Sequence, residues 1–282
     1  MNRGNRIKLL FLLPAVIWVL CFTIFPLIYG VRLSFYNVQA AGPDEYVGVE
    51  KYGHFFSDED ALKSLAVTVV FVACGVGVQM AAGMALALLF TRRMPLRGLL
   101  RTLLTTPLFV TPMAAGLLFI TIFNQERGLV TGLLQAKLPW QSQSHWALAS
   151  VILVDIWQWT PFCFLIFLAA LQGIPEDFYE AAKLETKNPW TVFRHITLPI
   201  VTPMVILVFL LRITEAFKVF DIPYTLTAGG PGAATRVLTM YAYQTGMRHR
   251  NYGYASSISV LLFALVMGLI LVLFKRIRQA YQ

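Results

Sequence analysis

Charged residues are scarce in this sequence. They make up 13% of the 282 residues, against about 25% in soluble domains, while 57% of the residues are hydrophobic. The hydrophobic residues are concentrated in long blocks that contain few charges. This composition excludes a water-soluble globule and a disordered chain, and it favours a protein that crosses a membrane several times.

Several enzyme motifs are also missing. The sequence contains no G-x-x-x-x-G-K-[ST] phosphate loop, no H-E-x-x-H zinc motif and no G-x-S-x-G nucleophile turn. The few histidines are spread over separate loops, and the few cysteines lie inside apolar blocks, where we interpret them as packing residues: His54, His145, His195 and His249; Cys21, Cys74 and Cys163. We therefore predict that the chain is not an enzyme, forms no disulfide or metal site and binds no cofactor itself.

Six apolar blocks are long enough to cross about 30 Å of hydrocarbon as helices. They are Leu9–Val31, Leu65–Phe90, Thr102–Phe123, Trp146–Leu171, Ile196–Phe217 and Tyr254–Phe274. The first block is too long for the apolar region of a signal peptide, and no small-residue cleavage pattern follows it. The sequence thus predicts an all-α integral membrane protein with six transmembrane helices in residues 9–274.

The distribution of Lys and Arg predicts the orientation of these helices. With the N-terminus inside, the inner segments hold 13 basic residues in 51 positions and the outer segments hold 9 in 90. Because basic residues favour the cytoplasmic side, we place both termini, residues 1–8 and 275–282, in the cytoplasm. The net charge of +9 therefore reflects membrane orientation, and we predict no nucleic-acid partner.

The fourth block carries polar and aromatic residues at helical spacing. Asp155, Gln158, Trp159 and Phe162 share one helix face, because they follow the i, i+3, i+4, i+7 rule. A carboxylate, an amide and two aromatic rings suit a sugar, whose hydroxyls need hydrogen-bond partners and whose C–H faces stack on rings. The alternative is that Asp155 pairs with a residue of a partner subunit while the rings pack between helices.

A second polar stripe ends the fifth block. Arg212, Glu215, Lys218 and Asp221 follow one another at a spacing of three, so they form a stripe of alternating charge. Such a stripe is costly against lipid, and we expect it to line a cavity or a subunit interface. A ladder of ion pairs within the stripe is an alternative to ligand binding.

The loop between the fourth and fifth blocks, at about residues 172–199, contains a short predicted helix that begins after Pro175. Its run EAAKLETKNPWTVFRHITLP resembles the EAA loop of membrane subunits of binding-protein-dependent ABC importers. The matching residues are Glu180, Ala181, Ala182, Trp190, Phe193, Ile196, Leu198 and Pro199. Thr186 stands where the family has a glycine after its acidic residue, so we expect a wider or more strained turn there. Apart from the resemblance, an ordinary amphipathic connector is an alternative interpretation of this loop.

The fourth block and the outer run FKVFDIPYTLTAGGPGAATRVLTMYAYQTG, in the outer loop at about residues 218–253, are similar to the first permease of carbohydrate importers. This is the class of the larger maltose-transporter subunit and of glycerol-phosphate permeases. The resemblance implies a type I ABC importer permease fold in a bacterial inner (cytoplasmic) membrane. It also implies a heterodimer with a second permease, two ATPase subunits that bind ATP and magnesium, and a solute-binding protein outside.

The resemblance implies three sets of functional residues. Those expected to contact the substrate are Asp155, Gln158, Trp159, Phe162, Glu215 and Val219. Those expected to couple the chain to the ATPase are Tyr179, Glu180, Ala181, Ala182, Glu185 and Thr186. Those expected to contact the binding protein are Gly229, Gly230 and Pro231, although a simple loop-closing turn is the alternative there.

The predicted function is that of a permease subunit of an ATP-driven importer of sugars or sugar derivatives. One alternative is a proton-coupled secondary transporter that uses Asp155 and Glu215 as proton carriers, and another is a membrane scaffold without transport activity. The secondary transporter is disfavoured because it leaves the EAA run unexplained and because such transporters normally contain paired repeats. Disaccharides, polyols, phosphodiesters and anionic sugars all remain open as substrates.

Overall fold

The computed structural model describes residues 3–38, 44–92 and 94–280, and most of these residues are helical. The helices of the first half are α1 (Arg3–Val19), α2 (Phe25–Leu33), α3 (Glu50–Ser57), α4 (Glu59–Thr91), α5 (Arg97–Thr105), α6 (Pro112–Ile122) and α7 (Leu129–Leu134). Those of the second half are α8 (Ser144–Gln172), α9 (Glu176–Glu185), α10 (Pro189–Val192), α11 (Leu198–Phe217), α12 (Asp221–Thr227), α13 (Leu238–Tyr243) and α14 (Tyr252–Ala280). One short hairpin pairs β1 (Tyr36–Asn37) with β2 (Glu45–Tyr46) in antiparallel register.

Three π-helical turns and one 3-10 turn join consecutive helices. The π-helical turns are Leu20–Ile24, Phe193–Thr197 and Gln244–Arg248, and the 3-10 turn is Thr106–Phe109. Because the turns at Leu20–Ile24 and Phe193–Thr197 lead directly from one helix into the next, the first and fifth predicted spans are long composite helices. Their candidate membrane-spanning stretches run from Phe11 to Leu33 and from Pro189 to Phe217.

The prediction of an all-helical membrane protein is confirmed, since five helices of the described residues are long and apolar enough to cross a membrane. They are Phe11–Leu33, Glu59–Thr91, Ser144–Gln172, Pro189–Phe217 and Tyr252–Lys275. The predicted cytoplasmic termini lie partly outside the described residues, which leave out residues 1, 2, 281 and 282.

The third predicted span is wrong as a continuous helix. Its residues form two helical segments, Arg97–Phe109 and Pro112–Ile122, which are bent by 104° relative to each other. The cause is Pro112, which cannot donate a helical hydrogen bond and which drives the preceding residue into an extended conformation. Thr111 has φ −65° and ψ 145°, and its hydroxyl accepts a hydrogen bond from the main-chain N–H of Ala114. The number of spans is six only if this bent pair counts as one.

The chain divides into two compact units. The first comprises Met1–Leu62 and Tyr241–Leu265, and the second comprises Lys63–Met240 and Val266–Gln282. In the first unit, Asp58 accepts hydrogen bonds at 2.6 Å from the hydroxyls of both Tyr241 and Tyr254. Burial alone would raise the pKa of Asp58, but these bonds and two main-chain N–H donors lower it below its ordinary value.

The second unit is built around α8, which contributes half of the residues of its hydrophobic core. That core comprises Ala87, Phe90, Cys163, Phe164, Phe167, Leu168, Leu171, Ile174, Val201 and Val208. At Gly83 the helices α4 and α8 approach so closely that an added Cβ would lie 2.6 Å from the Cβ of Cys163. The packing role predicted for the cysteines holds for Cys163 alone, because Cys21 and Cys74 are exposed on their helices.

The first composite helix differs from α8 in its packing. In the most apolar stretch of Phe11–Leu33, no residue is buried within the chain. In the corresponding stretch of Ser144–Gln172, 56% of the residues are buried. The exposed side chains include large apolar ones such as Phe11, Trp18 and Phe22. Because apolar surface of this kind is unfavourable in water, this helix is suited to contact lipid or another membrane subunit.

Candidate functional site

Three helices of the second unit bring a polar cluster together inside the apolar core. Asp155 lies on α8, Gln79 on α4 and Arg212 on α11, and each side chain is at most 2% exposed. Gln79 Nε2 donates to Asp155 Oδ2 at 2.6 Å, and Arg212 Nε donates to Gln79 Oε1 at 2.9 Å. Arg212 Nη2 lies 3.5 Å from Asp155 Oδ2 and completes a buried ion pair.

This cluster compensates the charge of Asp155. Its carboxylate is compensated within the same chain by Arg212 and Gln79, so it needs no residue of a partner subunit. A charge buried in an apolar environment is tolerated only when it is paired and hydrogen-bonded, and all three side chains contribute to that pairing. The cluster therefore fastens α4, α8 and α11 to one another.

The guanidinium of Arg212 also supports an aromatic ring. Its central carbon lies 4.4 Å from the ring centroid of Trp159, which is the geometry of a cation–π contact. The ring of Phe162 meets the same indole edge-on, with 6.2 Å between the ring centroids. Trp159 therefore packs against a buried, hydrogen-bonded guanidinium as well as against an aromatic ring.

A cavity of about 180 Å³ opens beside this ring. It is lined by Pro112, Asp155, Trp159, Arg212, Glu215, Ala216, Lys218, Val219, Phe220, Asp221 and Ile222. At its rim Lys218 Nζ donates to Glu215 Oε1 at 2.7 Å, and both side chains are about half exposed. The cavity therefore combines an aromatic wall, a buried ion pair and an exposed ion pair.

The structure brings four of the six residues predicted to contact substrate to this cavity: Asp155, Trp159, Glu215 and Val219. Gln158 is 3% exposed and donates to the main-chain oxygen of Val110 at 2.6 Å, next to the bend before α6. Phe162 packs against the hydrophobic core.

Gln158 and Phe162 therefore lie away from the cavity, although they belong to the same predicted face as Trp159. At about 100° per residue, Gln158 and Trp159 lie about 60° and 40° to opposite sides of Asp155 on the helix. A stripe that looks continuous in the sequence therefore faces two different neighbours. Gln158 holds the bend, and Trp159 faces the cavity.

Sequence reasoning missed Gln79, which joins the two charged members of the cluster. A signal for it was present, because Gln79 is an amide within the apolar block Leu65–Phe90. Polar residues inside membrane helices rarely face lipid, so the position alone indicated a buried partner. The alternative of an ion-pair ladder along the second stripe is reduced, within the part of the chain that the structure describes, to the pair of Glu215 and Lys218, since Arg212 pairs across to α8.

The loop that resembles the EAA motif forms the predicted short helix, α9, and a second short helix, α10. The hydroxyls of Tyr179 on α9 and Thr197 lie 3.2 Å apart, which ties α9 to the π-helical turn before α11. Glu180, Ala181 and Glu185 are exposed, but Ala182 is only 4% exposed and lies in the interior. Ala182 is therefore the member of the predicted coupling set that this chain itself covers.

The expected strain at Thr186 is not found. Its backbone has φ −151° and ψ 142°, an extended conformation that any residue adopts, and its N–H donates to the carbonyl of Ala182. A glycine is not needed here, so the sequence departs from the family pattern without cost to the backbone.

An open cleft beside this loop is lined in part by Arg92, Arg97 and Lys187.

The glycine-rich outer turn is held by hydrogen bonds between its own residues. The hydroxyls of Thr227 and Thr235 lie 2.6 Å apart, and Thr235 Oγ1 also donates to the carbonyl of Gly230. Gly229 has φ +87° and is buried against Met240, where a side chain would be strained and crowded. Of the three predicted contact residues, only Gly230 and Pro231 retain partial exposure.

No group of three or more His, Cys, Asp and Glu side chains that could hold a metal ion occurs within residues 3–38, 44–92 and 94–280.

Comparison with known proteins agrees with the architecture. The family described as "Binding-protein-dependent transport system inner membrane component" matches residues 77–280. The trehalose/maltose transport system permease protein MalF of Thermococcus litoralis is 32% identical, over 97% of this chain and 94% of the relative. The sulfoquinovosyl glycerol transport system permease protein SmoG of Agrobacterium fabrum is also 32% identical, over 99% of this chain and 92% of the relative.

A solved structure shares the fold. A bacterial ABC transporter involved in the import of the acidic polysaccharide alginate superposes with a TM-score of 0.88 at 20% identity, over 99% of this chain and 98% of the other. Together with the family match, this confirms the type I permease fold expected from the EAA run. The chain belongs to the family of binding-protein-dependent transport system inner membrane components, which are transport components rather than enzymes.

Proposed function

We propose, from this family membership, that the chain is a permease subunit of an ATP-driven importer of sugars or sugar derivatives. The observation that carries the proposal is the cavity beside Trp159, which lies among helices long enough to span a membrane. A polar cavity at that place needs a hydrated ligand or water to occupy it, because lipid cannot solvate Glu215 and Lys218.

The chemistry of the cavity supports a sugar ligand. The indole of Trp159 offers an apolar face for sugar C–H groups, and Glu215 and Lys218 offer hydrogen-bond partners for hydroxyls. The relatives named above are transport permeases for trehalose and maltose and for sulfoquinovosyl glycerol. All three are carbohydrate ligands, which supports the sugar class and leaves the charge of the ligand open.

The partners belong to the same proposal. A second permease would complete the translocation path, two ATPase subunits would bind ATP and magnesium, and a solute-binding protein would deliver the ligand from outside. The family description names a binding protein, and an alginate transporter of the same fold is known in complex with its periplasmic protein. We place the assembly in a bacterial cytoplasmic membrane with both termini of this chain inside.

The coupling mechanism follows from one connection in the second unit. Helix α9 is tied by Tyr179 to Thr197, and the π-helical turn at Phe193–Thr197 leads directly into α11. Helix α11 carries Arg212 and Glu215 to the cavity. A displacement of α9 by the ATPase therefore moves the helix that forms the cavity wall, as alternating access requires.

Reconstitution tests the function. The chain, assembled with its partner permease and ATPase in liposomes together with the binding protein, is expected to import sugar only when ATP is present. A proton-coupled transporter would instead take up sugar on a proton gradient without ATP, and a scaffold would take up none. The structure disfavours Asp155 as a proton carrier, because Arg212 and Gln79 already compensate its carboxylate.

Crosslinking tests the docking of α9 on the ATPase. In a variant whose exposed Cys21 and Cys74 are replaced by serine, Leu184→Cys is expected to crosslink to a cysteine in the ATPase, because Leu184 is 90% exposed. Ala182→Cys serves as the matched control and is expected not to react, because Ala182 is 4% exposed. Equal crosslinking of the two variants, or none at any exposed position of α9, would contradict the proposed contact.

A further inference from the structure

We propose that the cavity beside Trp159 accepts uncharged, polyhydroxylated ligands and discriminates against ligands that carry a carboxylate or sulfonate. This inference rests on the proposed transport function and adds the chemical class of the ligand. Family membership does not decide it, because relatives are named for trehalose and maltose as well as for sulfoquinovosyl glycerol. Whether the cavity prefers a neutral or an anionic ligand depends on which of its charged groups remain available to that ligand.

The first cation of the cavity, Arg212, is already engaged. Its Nε donates to Gln79, its Nη2 pairs with Asp155, and its face lies against Trp159. The side chain is 1% exposed, so a ligand entering the cavity meets the indole ring rather than an open guanidinium. Two of its five N–H donors are engaged in this way, and burial of the side chain keeps the others from forming the open fork with which arginine recognises an anion.

The second cation, Lys218, is also compensated. Its ammonium lies 2.7 Å from Glu215 Oε1, on the same turn of the chain. One further carboxylate, Asp221, lines the cavity, so the described lining residues comprise three acidic and two basic side chains. A ligand carboxylate would therefore enter a site whose cations are paired and whose surplus charge is negative.

Paired charges do not prevent the binding of a neutral sugar. A carboxylate has about four lone-pair positions, and an ammonium has three donors, so each retains hydrogen-bonding capacity after it forms one bond. Sugar hydroxyls both donate and accept, and they can bridge Glu215 and Lys218 without separating them. An added negative charge within a few ångströms of Asp221 is repelled, and we expect at least about a tenfold preference for the neutral ligand.

The test compares matched ligands on the assembled transporter in liposomes with its binding protein and ATP. A panel of neutral glucose disaccharides is used, each paired with the same disaccharide oxidised at one C6 to the uronate. The measured quantity is the ratio of uronate uptake to neutral uptake. Selection by the binding protein is common to all variants, so it cancels when a variant's ratio is divided by that of the wild type.

The decisive variant is Glu215→Gln, which leaves the ammonium of Lys218 unpaired at the cavity rim. We expect it to raise the ratio about tenfold. Glu126→Gln is the matched control: it removes the same kind of carboxylate from an exposed pair with Lys137, also at 2.7 Å, outside the cavity, and it is expected to leave the ratio unchanged. If Glu215→Gln fails to assemble, Asp221→Asn is the second variant. It removes a negative charge that forms no ion pair with the residues described in the structure, and it is expected to change the ratio in the same direction.

The outcomes separate this inference from the function on which it rests. Wild-type uptake that favours neutral sugars, with a ratio raised by Glu215→Gln but not by Glu126→Gln, supports the inference. ATP-driven uptake that favours the uronates, or a ratio that neither cavity variant changes, overturns it and leaves the transport function standing. Uptake that is independent of ATP, or no uptake of any panel member, overturns the transport function, and the inference falls with it.

Discussion

Replacement of Arg212 by methionine is expected to lower the stability of the chain by about 3–5 kcal/mol, because it leaves the carboxylate of Asp155 buried without a cation. Asp155 is 2% exposed, so water cannot replace the lost partner. The amide of Gln79 remains within 2.6 Å of the carboxylate but carries no net charge. The effect is measured as the shift of the denaturation midpoint of the purified complex in detergent.

A double-mutant cycle identifies the cause of this loss. Asp155→Asn combined with Arg212→Met removes both charges and is expected to recover most of the stability, since a neutral buried pair costs far less than a single buried charge. Lys218→Met is the matched control, because it breaks an exposed pair and should cost less than about 1 kcal/mol. A loss for Arg212→Met no larger than that for Lys218→Met would show that the buried pair does not hold the helices together.

Substitution of Gly83 is expected to give the second large effect. The methyl group of Gly83→Ala would lie 2.6 Å from the Cβ of Cys163 and 3.0 Å from the main-chain nitrogen of Phe164. Neither atom belongs to a side chain that can rotate away, so α4 and α8 must separate. Overpacking of this kind costs about 1–3 kcal/mol for a methyl group, and the larger Gly83→Leu is expected to prevent assembly of the complex.

The same helix offers a matched control. Gly77 lies on α4, but an added Cβ there would meet no atom within 4 Å. Gly77→Ala is therefore expected to be neutral or slightly stabilising, because alanine has the higher helix propensity. Both variants are compared by yield of the assembled complex and by denaturation midpoint. If Gly83→Ala unfolds as late as Gly77→Ala, the close approach of α4 and α8 does not contribute to stability.

The sequence by itself determined the membrane architecture of this protein. Insertion of a helix into a membrane depends on the sum of transfer free energies over about 20 neighbouring residues, and such a sum can be obtained from a window of sequence. The short helix α9 of the EAA-like loop was also predicted from local sequence, and it begins at Glu176, directly after Pro175. The third span was predicted incorrectly because hydrophobicity alone ignores the missing hydrogen bond at Pro112.

Only the tertiary structure decided which polar residues belong to the cavity. Gln79 and Arg212 are 133 positions apart and Asp155 and Arg212 are 57 apart, so their contacts depend on which helices are neighbours. Helical spacing placed Gln158 and Trp159 on one face. In the structure, Gln158 hydrogen-bonds the main chain at the bend before α6, whereas Trp159 lines the cavity. The physical reason is that the spacing of residues along one helix is a local property, whereas the partner of a buried side chain depends on which helices pack beside it.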